Sequence, residues 1–84
     1  MRAATLLAAM LPCDLVDEIE RELTAARVAV SADRARIAAL EELQVLVLVL
    51  AATRGRPASP KDLLSAAPTY VERERRRRLL ALLR

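Results

Sequence analysis

Histidine, phenylalanine and tryptophan are absent from this chain of 84 residues, and glycine, cysteine, tyrosine and lysine occur once each. Without histidine there is no ordinary base to activate a serine, threonine or cysteine, and the commonest metal ligand is missing. A single glycine, Gly55, rules out a glycine-rich phosphate loop. A single cysteine, Cys13, rules out an internal disulfide and a cysteine zinc set. Cys13 precedes a helix start, a position that activates thiols in general, but no histidine accompanies it, so a small apolar contact is the expectation. With no Phe or Trp, the core must be Leu, Val, Ile and Ala, and Tyr70 is the one platform on which a nucleic-acid base could stack. No catalytic, cofactor-binding or metal-ligating residue is therefore assigned. The expectation is a non-enzyme with no cofactor and no small-molecule substrate.

The chain is 55% hydrophobic and 30% charged, which fits one ordered domain over residues 1–84. A domain this small has a thin core and gains from a partner. The net charge of +3 is mild for its length. Thirteen of the fourteen basic residues are Arg and one is Lys61. That bias fits a GC-rich genome, bacterial or phage, and discounts the high pI as a sign of nucleic-acid binding. The first thirteen residues, Met1 to Cys13, have the outline of a short leader. Their apolar stretch is brief, however, and Pro12 stands where a small residue is expected. A cytoplasmic protein is the expectation.

Val45 through Ala52 carries no polar side-chain atom. The run is far below the ~20 residues that span a bilayer, and Arg54 and Arg56 close it, so no membrane is expected. Alternating Val and Leu also suits a strand, yet nothing else in the chain would pair with it. The flanking segments are rich in helix formers. The run is thus expected to be a central helix buried on nearly all sides, by its own core or by another chain.

The predicted class is all-α: a small bundle with a long or hairpin N-terminal pair, a buried central helix and two shorter C-terminal helices. Residues 1–53 form the pairing region, 54–59 a loop and 60–84 a final helical pair. Ala3 to Leu11 suits a short helix ended by Pro12. Asp14 can cap the next helix, with Asp17 and Glu18 in its first turn. Leu15, Val16, Ile19, Leu23, Ala26 and Val30 recur at helical spacing. The stripe continues through Asp33, Ile37, Leu40, Gln44 and Val47. Two structures compete: one helix from Asp14 to Thr53, roughly 60 Å long, or a hairpin turning near Ser31, Ala32 and Asp33. No Gly or Pro marks a turn there, and the continuous helix is narrowly preferred. In that reading Asp33 and Gln44 are either register-setting polar residues of a coiled coil or simply water-facing. Gly55 sits where a helix C-cap belongs. Ser59, Pro60 and Asp62 make a helix start, and Thr69 with Glu72 a second one.

The strongest charge signal is Arg73, Arg75, Arg76, Arg77 and Arg78. These are the candidate nucleic-acid residues, facing phosphates from the last helix. Residues 42–84 resemble a helix-turn-helix in layout. The charged middle of the last helix departs from that pattern, since a recognition helix needs apolar residues there to pack on its neighbour. Glu72 precedes Arg76, and Glu74 precedes Arg78, by four residues, so intrahelical pairing is the competing reading. The acidic residues Asp14, Asp17, Glu18, Glu20 and Glu22 read as a solvated face rather than a metal site.

Taken together, the residues suggest a protein-protein interaction module: an adaptor, assembly factor or chaperone-like subunit that meets a protein partner or a second copy. Small helical secretion co-chaperones and phage assembly proteins are similar in architecture only. Ile19, Leu23, Val30, Ile37, Leu40 and Val47 are the candidates for helix pairing, and Leu79, Leu80, Leu82 and Leu83 for docking. A small DNA-binding regulator with a basic last helix is the alternative.

Overall fold

A computed structural model describes residues 14–83. The expected Ala3–Leu11 helix, its end at Pro12 and the Cys13 contact lie outside the described residues. Among those described, four α-helices and no strand occur: α1 (Leu15–Val28), α2 (Arg34–Arg54), α3 (Pro60–Ser65) and α4 (Tyr70–Leu80), with a closing 3₁₀ turn at Ala81–Leu83. The all-α class expected from composition and periodicity is what forms.

Each helix starts on a side chain that supplies what the first free amides lack. The Asp14 carboxylate accepts from the Val16 amide at 3.1 Å. Asp33 accepts from the Arg36 amide at 3.1 Å. The Thr69 hydroxyl accepts from the Glu72 amide at 3.1 Å. Before α3, the Asp62 carboxylate reaches back to accept from the amides of Ala58 (2.8 Å) and Ser59 (3.2 Å), and Pro60 opens the helix. At the other end of α2, Gly55 takes φ 97°, a conformation that costs glycine little.

The preferred expectation of one unbroken helix is overturned. The chain leaves helical conformation at residues 29–33 and returns antiparallel. Glu22 accepts from Arg36 at 3.2 Å, and Arg27 lies 3.9 Å from Glu41. At the open end the Leu15 amide donates to the Pro57 carbonyl at 2.9 Å. The reason is local: Asp33 caps α2 and so fixes its start. Val30 and Asp33 therefore lie in the break, not on a heptad seam.

The core is formed by Leu15, Val16 and Ile19 of α1, Leu43 and Val47 of α2, Leu63 of α3, and Leu79 and Leu80 of α4. Leu23 and Leu40 are buried nearer the hairpin turn. No described polar or charged residue is buried, so no side chain in this interior needs an internal hydrogen-bond partner.

Candidate interaction surface

Helix α2 is apolar on two sides but covered on one. Leu40, Leu43 and Val47 recur at helical spacing and are fully buried. Leu46 and Leu50 are half-buried against the same core. Val45, Leu48 and Val49 recur on the opposite side and are 60%, 48% and 57% exposed. Exposed Ala38 and Ala52 continue this stripe along the helix. The expectation that the run is enclosed on nearly all sides is thus not met within one chain. The physical reason is geometric: α1, α4 and the last turn all pack on one half of the α2 surface, leaving the other half open. Covering the three large side chains would stabilise the protein by roughly 3 kcal/mol in all, at about half the full-burial value for each.

The residues selected for pairing and docking are distributed differently. Ile19, Leu23, Leu40, Val47, Leu79 and Leu80 lie inside the chain's own core. Ile37, Leu82 and Leu83 are half-buried, and Val30 is exposed in the turn. Apolar periodicity marks an internal core and an intermolecular seam identically, and within one chain six of these residues serve the internal core. Composition alone does not distinguish the outward residues Val45, Leu48 and Val49 from the rest of the apolar run. Their spacing of three and four reveals a face once the covered side is known.

The acidic residues of α1 are engaged by arginine. Arg56 donates to Asp14 through Nε (3.0 Å) and Nη2 (2.7 Å), and to Asp17 at 3.0 Å. The Asp14 hydrogen bond, followed by its charge, raises the Arg56 pKa further above its ordinary value. Among the described residues no group of three or more potential ligand side chains converges to hold a metal.

The Arg run is largely spoken for. Arg75 pairs with Glu42 of α2, and Arg77 pairs with Glu74. Arg76 Nη1 donates to the Leu63 carbonyl at 2.9 Å. The expected Glu72–Arg76 and Glu74–Arg78 pairs give way to these: Arg76 turns to the Leu63 carbonyl of α3, and Glu74 takes Arg77 instead. Arg73 and Arg78 make no hydrogen bond or ion pair among the described residues. Between α2 and α4, Glu42, Tyr70, Val71, Arg75 and Arg78 line an open groove of about 590 Å³. No described helix is long and apolar enough to cross a membrane. Comparison of the chain with family models, curated proteins and solved structures finds no match.

Proposed function

We propose that this protein is a small helical interaction module, an adaptor or assembly-type subunit, whose contact face is the outer side of α2. The observation that carries the reading is the exposure of Val45, Leu48 and Val49 on one face of a helix whose opposite face is the core. Apolar residues scattered singly over a surface are ordinary, whereas a contiguous helical stripe marks a contact site. A partner helix laid along it would bury side chains at regular spacing, as in helix-in-groove recognition. The nucleic-acid reading has less support, since Arg75, Arg76 and Arg77 are already held by Glu42, Leu63 and Glu74.

The test is site-specific photo-cross-linking in cells. A photoreactive residue at Val49 is expected to yield discrete protein adducts. One at Arg21, exposed on α1, is the control. Equal or absent adducts at both positions would sink the reading.

A further inference from the structure

We infer that residues 3–11 dock through Leu6, Leu7, Met10 and Leu11 into the groove between α1, α3 and the end of α4. This contact is separate from the outer side of α2, which it leaves open to a partner.

The groove lies where the chain enters the bundle. Pro60, Leu64, Leu80 and Leu83 line it, together with the charged Glu18 and Arg77, around a volume of about 420 Å³. Leu64 and Leu83 are half-buried, so each keeps apolar surface uncovered. The entry point is fixed by the Leu15 amide, which donates to the Pro57 carbonyl at 2.9 Å. Glu18 follows Leu15 by three residues, Pro60 follows Pro57 by three, and both line the groove. The groove therefore opens about one helical turn from Asp14, where residues 1–13 join α1. The outer stripe of α2 is not so placed, since Leu15 packs with Leu43 and Val47 on the covered side of that helix.

The segment suits this groove in pattern and in charge. Residues 3–11 read Ala-Ala-Thr-Leu-Leu-Ala-Ala-Met-Leu and carry no charge. Leu6, Leu7, Met10 and Leu11 recur at spacings of three and four. In helical form they share one face, with Thr5, Ala8 and Ala9 on the other. A face of this kind needs apolar cover. Nine helical residues span about 13.5 Å, and Pro12 stops helical continuation into α1, so the segment can fold back beside it. Arg77 is already held by Glu74, and Glu18 is engaged as well, so the groove asks for no counter-charge from its occupant.

The experiment uses the full chain with Cys13→Ser and Thr5→Cys, a nitroxide being attached at position 5 on the side away from the groove. Methyl NMR of the Leu and Val side chains reads its position. The Leu64 and Leu83 signals should be lost while the nitroxide is oxidised and return on its reduction. Those of Leu23 and Leu40, near the hairpin turn, should persist. Adding Leu7→Asp should restore the Leu64 and Leu83 signals, and unchanged shifts at Leu23 and Leu40 would show the fold intact. Persistence of the Leu64 and Leu83 signals in the first chain overturns the inference, as does a loss confined to Val45, Leu48 and Val49. So does a loss that survives Leu7→Asp. A loss that appears equally with nitroxide and isotope on separate chains also overturns it, by seating the segment on a second copy.

Discussion

Arg76 of α4 donates its guanidinium to the backbone carbonyl of Leu63 in α3, at 2.9 Å. The contact crosses the break between the two helices and satisfies a carbonyl near the end of a helix only six residues long. One residue of an apparent phosphate-binding run thus serves as a structural tie.

Arg76 and Arg78 should therefore respond differently to truncation. Arg76→Ala removes a charge-assisted hydrogen bond and bares a part-buried carbonyl, at a cost of about 1–2 kcal/mol. Arg78→Ala, with no partner among the described residues, should fall within about 0.5 kcal/mol of the parent. Urea unfolding of both variants checks this. Equal losses would mean that the tie contributes nothing.

The two faces of the apolar run give a second contrast. Val47 is fully buried and Val45 is 60% exposed. Val47→Ala should cost about 2 kcal/mol, from lost burial and the cavity left behind. Val45→Ala should change the stability of the monomer little, so both are best measured at concentrations too low for association. A larger loss at Val45 would place the core on the wrong side of α2.

Asp33 starts α2 after the turn. Asp33→Ala should destabilise the fold by about 1 kcal/mol, and Asp33→Asn should retain most of the cap. Thermal unfolding of the pair decides whether the carboxylate oxygen or the charge matters.

Gly55→Ala meets no steric obstacle, since nothing lies within 4 Å of an added Cβ. Its φ of 97° remains unfavourable for an L side chain, so a loss of about 1 kcal/mol is expected from the backbone alone. A neutral or stabilising result would show that the loop relaxes.

Arg56→Ala should loosen the start of α1 slightly, because it removes the ion pairs to Asp14 and Asp17. These groups are exposed, so the difference from the parent should shrink as salt is raised. A deficit unchanged by salt would point to packing of the Arg stem instead.

The helix starts and the end of α2 were legible because capping chemistry is local: Asp14, Pro60 with Asp62, Thr69 and, at the end of α2, Gly55 each act within four residues of their position. The turn at residues 29–33 was open to two readings, since it has neither Gly nor Pro and its signal, Asp33, also fits a polar seam position. The partners of Arg75 and Arg76 were beyond reach, because Glu42 and Leu63 are distant in sequence and only packing brings them together. The outward face of α2 was hidden for a related reason. A sequence of Val and Leu all round a helix states that burial is needed, but not which side the rest of the chain covers.

The Leu15 amide finds its acceptor only at Pro57. During synthesis the Asp14 cap is at hand from the start, but the Leu15 amide has no partner in the chain until the stretch past Gly55 has emerged from the ribosome. Any shortened transcript that stops earlier releases a hairpin whose opening amide is satisfied by water alone. The tie between the start of α1 and the loop after α2 is thus a contact that only the longer chain can make.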